Sequence, residues 1–252
     1  MISRLTNSNE RPYNNLLRHL SEPDYALISG DLDDCTLDED ELIYNPGDHV
    51  ELVHFPCGPS LVSYLISSED GRDVETTLVG REGAVGGIVS QGHLPAFSRI
   101  IVKFGGPFVR LPIGRLDSVK LKAPGVRDVF ARYADCLLAQ IFQSTACNAV
   151  HSIEQRTAKW IISAMDRTGS DVVSLTHEQL ASILGVGRSY TSRVLHIFKA
   201  EGILETRRGA IVIRNRAALE ARACQCNDSV KTHFEDVLRG VYPTEELVGA
   251  VN

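Results

Sequence analysis

The chain has 252 residues, of which 43% are hydrophobic and 23% are charged, an ordinary composition for a soluble globular protein. This length favours two domains over one. The first fifteen residues are polar, which predicts no signal peptide, and no apolar run approaches the roughly 18 residues that a membrane helix needs. Six scattered cysteines do not form a disulfide framework. We therefore expect reduced thiols, no membrane partner and a cytoplasmic location.

The net charge of −6 is unevenly distributed along the chain. Residues 1–149 hold 13 basic and 20 acidic side chains. Residues 150–220 hold 10 basic and 7 acidic side chains, and residues 221–252 hold 3 basic and 5 acidic side chains. Only the local field acts on a phosphate backbone, so the basic middle segment indicates where a nucleic acid would bind.

The N-terminal half has the pattern of a β domain. A short amphipathic helix is predicted near Asn14–Leu20, and short apolar runs separated by turn residues follow it. Five of these runs are predicted strands: His49–Phe55, Leu61–Ile66, Val74–Val79, Arg99–Phe104 and Phe108–Leu111. Short strands at such spacing are typical of an antiparallel sandwich or barrel. Residues 1–124 are therefore predicted to be all-β.

A long helix is predicted after Pro124-Gly125, because Val126–Val150 contains neither proline nor glycine and its apolar residues recur at three- and four-residue steps. A helix of about 24 residues would be roughly 36 Å long. We favour a dimer seam in which Tyr133, Leu137 and Ile141 meet their symmetry mates. Packing of this helix on the chain's own sheet is the alternative.

Two capping boxes follow the long helix, Ser152 with Gln155 and Thr176 with Gln179. The second box opens a short helix that ends at Gly185-Val186-Gly187, where two glycines allow a tight turn.

The next helix is predicted over Arg188–Ala200, and Ile203–Ile213 has the pattern of two strands joined by Arg207-Arg208-Gly209. This order of helix, tight turn, helix and basic hairpin predicts a winged helix-turn-helix, whose second helix enters the major groove of DNA. The side chains of Arg188 and Arg193 are long planar hydrogen-bond donors of the kind that bind guanine bidentately. The expected contacts to the phosphate backbone are Thr176, Tyr190, Lys199, Arg207 and Arg208.

These segments resemble the Crp/Fnr family of bacterial regulators. Leu175–Arg214 resembles the DNA-binding domain of that family, and Tyr133–Ile162, which includes LLAQ and CNAVHSIEQRTAKWI, is similar to its dimer helix and connector. Leu42–Gly87, with YNPGD, HVELVHFP and VGREGAVG, is more loosely similar to its cyclic-nucleotide-binding-like jelly roll. The resemblance implies an α+β protein with an antiparallel jelly-roll sensor domain (1–124), a dimerisation helix (125–150), a crp-type winged helix-turn-helix (151–222) and a C-terminal tail (223–252).

The resemblance further implies a homodimer that binds a palindromic operator in double-stranded DNA. Activation of transcription would also need a surface for RNA polymerase, which no residue of the sequence marks. It places Arg188, Ser189 and Arg193 at the base-contacting positions. Many members have Glu where Ser189 stands, Ser or Thr where Gly187 stands, and a smaller Thr in place of Tyr190. We therefore expect an operator that differs from the best-known one of the family.

The sequence identifies no effector or cofactor. Glu82 and Gly83 match part of the cyclic-nucleotide motif, but its Arg-Ser/Thr-Ala element is missing and Arg99 is a displaced candidate for the phosphate contact. Cyclic AMP is therefore not expected. An iron–sulfur cluster needs about four clustered thiolates, and isolated histidines do not define a haem site, so neither is expected. Cys224 and Cys226 are either a redox pair in an exposed tail or ordinary thiols, and no metal site is predicted.

No nucleophile elbow, metal-ligand spacing or P-loop accompanies the histidines, so we do not expect an enzyme. One alternative to a DNA-binding regulator is a jelly-roll signalling or scaffold module whose helical domain binds a protein partner. Steep salt dependence of duplex binding would distinguish the two, because phosphate neutralisation releases counterions.

Overall fold

The computed structural model describes residues 11–69, 73–92, 94–239 and 241. The polar start considered in the signal-peptide prediction lies mostly outside these residues. Within the described part of the chain, no helix is both long and apolar enough to cross a membrane.

Two antiparallel sheets form the N-terminal β domain, one with strand order β1-β7-β3 and the other with order β2-β6-β4-β5. The strands are β1 (Asp33–Leu37), β2 (Leu42–Tyr44), β3 (Leu52–Pro56), β4 (Leu61–Ser67), β5 (Asp73–Val79), β6 (Arg99–Phe104) and β7 (Gly106–Pro112). The five predicted strands are confirmed to within a few residues. The first two strands were not predicted, because their mostly exposed residues lack the alternation that marks a half-buried strand.

Four helices accompany the β domain: α1 (Asn15–His19), α2 (Glu22–Ser29), α3 (Ile113–Lys122) and α4 (Pro124–Val150). The side chain of Asn14 caps α1 and also donates to the carbonyls of Pro56 and Gly83, at 2.9 and 2.8 Å, which ties α1 to the β domain. The 27 residues of α4 confirm the predicted long helix.

The C-terminal region after α4 consists of α5 (Ile153–Thr168), β8 (Val172–Val173), α6 (His177–Leu184), α7 (Arg188–Ala200), β9 (Leu204–Arg207), β10 (Ala210–Ile213) and α8 (Arg216–Arg222). Both predicted capping boxes are present, at Ser152 and at Thr176. The strands form an antiparallel sheet of order β8-β10-β9. Leu195 and Phe198 of α7 and Ile211 of β10 are fully buried in one hydrophobic core that α5, α6, α7 and α8 share.

The segment expected to be a tail contains a further helix, α9 (Cys226–Arg239). It runs antiparallel to α4, since Gln143 lies beside Cys226 while Arg132 donates to the carbonyl of Val237 at 2.8 Å. The ring of Phe234 packs edge-on against Tyr133, with 6.3 Å between ring centroids. Residues 223–239 are therefore part of the packed structure, although they were expected to belong to a tail.

Candidate nucleic-acid interface

The turn between α6 and α7 has the geometry that the sequence predicted. The Thr176 hydroxyl accepts from the backbone N–H of Gln179 at 3.1 Å, and Gly185 ends α6 with a φ of +67°. Gly187 caps α7 without a side-chain hydrogen bond. The first backbone N–H groups of α7 are therefore left for solvent or for a phosphate.

The two faces of α7 differ in burial and in chemistry. Four side chains face the interior and are buried: Thr191, Val194, Leu195 and Phe198. The opposite face is exposed and carries Arg188, Ser189, Tyr190 and Arg193. The three predicted base-contacting residues thus lie together on one accessible helical face.

The arginines of this face have only weak partners in the free protein. Arg188 lies 3.8 Å from Glu178, and both side chains are more than two-thirds exposed, at 71% and 78%. An ion pair this exposed contributes about 0–1 kcal/mol, so a DNA base or phosphate can replace it. The Arg193 guanidinium lies over the Tyr190 ring, 5.5 Å from its centroid, which holds it on the helix surface.

The wing is the tight hairpin formed by β9 and β10, and it has basic residues at its tip. Arg207 pairs with Ala210, so Arg208 and Gly209 form the two-residue turn, with a φ of +70° at the glycine. Arg207, Arg208 and Lys199 of α7 are all exposed, as expected for phosphate contacts.

A further wing arginine, Arg214, was not among the predicted contacts. It donates to Glu205 at 2.7 Å, and this hydrogen bond lowers the pKa of the Glu205 carboxyl. Glu205 also lies 3.8 Å from Arg207. Arg214 could have been identified from the sequence by its position directly after the second strand of the wing.

The residues predicted for the dimer seam lie on different faces of α4. Tyr133 is buried within its own chain, where its hydroxyl donates to the carbonyl of Ala84 at 3.1 Å, and Leu137 packs partly buried against the core of the β domain. Ile141 is exposed. Leu138 and Phe142 are exposed beside it, at 47% and 64%, on the face opposite Tyr133. Helical periodicity predicted an apolar stripe but could not tell which apolar residues the chain's own β domain would cover.

The three effector candidates do not form a common site. Glu82 accepts from Arg167 of α5 at 2.7 Å, and Arg99 is an exposed residue that pairs with Asp73 at 3.0 Å. Gly83 packs against the Tyr133 hydroxyl so closely that a Cβ would lie 2.0 Å from it. Each candidate therefore has a partner within the chain.

Contacts between the β domain and α5 join the two halves of the chain. Besides the pair formed by Glu82 and Arg167, the indole N–H of Trp160 donates to Glu75 of β5 at 2.7 Å. Burial raises the pKa of Glu75, although the hydrogen bonds and the nearby Lys103 act in the opposite direction. The helix α5 is thus docked on β5 while the outer face of α7 remains exposed.

Four potential metal ligands meet where α4 ends and α9 begins. The ligand atoms of Cys147, His151, Cys224 and Cys226 all lie within 4.8 Å of one another. All three cysteines are buried, whereas Cys224 and Cys226 were considered as a redox pair in an exposed tail. No metal site was predicted here, because His151 and Cys224 are 73 positions apart in the chain. The available signal was the four-residue step from Cys147 to His151, which places both on one helical face.

A β domain, a long helix and a winged helix-turn-helix with an exposed basic face together define the architecture of a transcription regulator. The family description "Crp-like helix-turn-helix domain" matches residues 155–222. No curated protein sequence matches the chain significantly.

Solved structures of the same fold cover most of the chain. A regulator assigned to the Crp/Fnr family from Eubacterium rectale has a TM-score of 0.57 and 21% identity over 86% of this chain and 99% of its own. FixK2 from Bradyrhizobium japonicum has a TM-score of 0.63 and 17% identity, and the match covers 77% of this chain and 98% of FixK2. TTHB099, a CRP-family transcriptional regulator from Thermus thermophilus, has a TM-score of 0.63 and 20% identity, and the match covers 75% of this chain and 96% of TTHB099. The chain therefore contains a Crp-like helix-turn-helix domain and has the fold of Crp/Fnr transcriptional regulators, as the sequence predicted. Two of these solved structures, those from Eubacterium rectale and Thermus thermophilus, are described as transcriptional regulators.

Proposed function

We propose that the chain acts as a homodimeric transcription regulator that binds a palindromic DNA operator, with α7 in the major groove and the wing on the adjacent backbone. The observation that carries this proposal is the exposed face of α7. Its arginines have no strong intramolecular partner among the described residues, while the inner face of the same helix is fully packed. Arg188, Ser189 and Arg193 would contact base edges.

The phosphate contacts would come from residues around this face. Lys199, Arg207 and Arg208 supply exposed positive charge, while the Thr176 and Tyr190 hydroxyls supply neutral donors. The free N-terminus of α7 adds backbone N–H groups.

The dimer would form along the exposed face of α4. Leu138, Ile141 and Phe142 lie within five residues on that face, and each is more than a third exposed. Two copies of the chain paired there would each bury this apolar patch, as helices do at a symmetric seam.

A signal in the β domain would reach the DNA-binding domain through α5. Glu75 and Glu82 of the β domain bind Trp160 and Arg167, so a rearrangement of the β domain would move α5 with it.

The test is selection of bound duplexes from a random DNA library by the full-length protein, repeated at two salt concentrations. We expect a two-fold palindrome with half-sites about 10–10.5 base pairs apart, centre to centre. If Lys199, Arg207 and Arg208 of two chains neutralise about six phosphates, the slope of log K against log salt should be about −5.

The double variant Arg188→Ala/Arg193→Ala is the matched control, since it leaves the wing cations in place. It should bind DNA with a similar salt slope but recover no motif. Absence of both a motif and a salt slope in the unaltered chain would contradict the proposal and favour a protein partner for the helical domain.

A further inference from the structure

We propose that Cys147, His151, Cys224 and Cys226 bind one Zn²⁺ ion, which clamps the two ends of the DNA-binding domain together. This site is independent of the proposed DNA contacts, because none of its ligands lies on α6, α7 or the wing. Three thiolates and one imidazole are a ligand set that structural zinc sites use.

The distances between ligand atoms fit a single tetrahedral ion. With Zn–S bonds of about 2.3 Å and Zn–N bonds of about 2.0–2.1 Å, the edges of the tetrahedron are about 3.8 Å between two sulfurs and about 3.6 Å between sulfur and nitrogen. The Sγ atoms of Cys147 and Cys224 are 3.6 Å apart, and the Sγ of Cys226 is 3.6 Å from Nδ1 of His151. The remaining ligand pairs lie within 4.8 Å, so small side-chain adjustments complete the geometry.

Ordinary hydrophobic packing does not account for these cysteines. Buried free cysteines usually behave as small apolar residues within a larger core. Here the three sulfurs form a buried cluster of their own, separate from the three hydrophobic cores of the described residues. Their polar partners are one another, His151 and Gln143, whose amide donates to the Cys226 sulfur at 3.1 Å. A donor to a ligating sulfur is a common second contact around a metal.

The two helix ends at the site favour a thiolate-bound cation. Cys226 is the first residue of α9, where the positive end of the helix dipole stabilises negative charge on a thiolate. His151 is the C-cap of α4, where the negative end of the dipole favours a cation.

The position of the site defines what the ion would do. Cys147 and His151 lie where the chain enters the DNA-binding domain, and Cys224 and Cys226 lie where it leaves. A bound ion would close a loop that contains the whole winged helix-turn-helix. It would also fix the turn between α4 and α5 and the start of α9.

The first test uses the unaltered full-length protein, purified with a thiol reductant that does not chelate metals. Elemental analysis after equilibration with Zn²⁺ and gel filtration should give one zinc per chain. X-ray absorption at the zinc edge should show three sulfur neighbours at about 2.3 Å and one nitrogen at about 2.0 Å. Failure to retain zinc, or a different sulfur count, would overturn the proposal without any mutation.

Variants then identify the ligands. Cys224→Ser should abolish stoichiometric zinc, whereas Cys136→Ala should retain it. Cys136 is a matched control because it lies on α4, is fully buried and is outside the cluster, and burial raises its pKa to about 11. Gln143→Ala should weaken zinc affinity by about 10–100-fold. Full zinc retention by a folded Cys224→Ser protein would exclude this ligand set.

Discussion

Phe142→Ala is the most direct test of the proposed dimer seam. Phe142 is 64% exposed in the free chain, and it lies beside Leu138 and Ile141 on the face of α4 that the β domain leaves uncovered. Its removal should therefore weaken self-association without disturbing the core. Tyr133→Ala, by contrast, would remove a residue that is buried in its own chain and would destabilise the fold.

The expected loss of dimer stability follows from the exposed area of the Phe142 side chain. A phenylalanine side chain buries about 150–250 Å², so 64% exposure leaves about 130 Å² for a partner chain to cover. Truncation to alanine removes most of this area from each of two chains, about 180 Å² in total, worth about 4.5 kcal/mol at about 25 cal/mol per Å². The dimer dissociation constant should rise about a thousandfold.

Sedimentation equilibrium over a range of protein concentrations measures this constant directly. Phe97→Ala is the matched control, since Phe97 is an even more exposed phenylalanine, at 88%, and lies before β6. It should leave the dissociation constant unchanged. A Phe142→Ala protein that dimerises like the unaltered chain would show that this face is not the seam.

Three further predictions concern the DNA contacts and the packing of the DNA-binding domain. Arg193→Ala should cost about 1–3 kcal/mol on the preferred operator and relax discrimination at one base pair, whereas Arg208→Ala should weaken all duplexes alike and reduce the salt slope by about 1. Competition titrations separate these outcomes, and an equal loss on every duplex for Arg193→Ala would identify a phosphate contact instead. Glu75→Gln keeps an acceptor for Trp160 but removes a carboxylate whose pKa is raised by burial. A raised carboxyl pKa stabilises the fold at acidic pH, and this contribution is lost as pH rises through the folded-state pKa. The variant should therefore have a higher Tm than the unaltered chain at pH 7, and the increase in Tm should be smaller near about pH 4. A Tm below that of the unaltered chain at pH 7 would contradict the raised pKa of Glu75. Thr176→Ala removes the cap of α6 and should lower the free energy of unfolding by about 1 kcal/mol in urea titrations, while Thr176→Ser should have little effect.

The sequence alone determined the local structure of the DNA-binding domain. The capping boxes at Ser152 and Thr176, the glycine turn before Arg188 and the basic hairpin tip all depend on residues within a few positions of one another. Caps and tight turns are set by such short-range chemistry, so their residue types and spacing were sufficient. The exposed face of α7 followed from the same helical period.

Only the tertiary structure decided which surfaces these elements cover. Tyr133 and Phe142 are both apolar residues of one helix, yet the β domain and α9 bury the first and leave the second exposed. The sequence offered Glu82 as an effector contact, whereas the fold places Arg167 of α5 beside it as an ion-pair partner. Cys147 and Cys224 meet at 3.6 Å although 77 positions separate them in the chain. Contacts of this kind depend on how distant elements dock, and local sequence patterns carry no information about that docking.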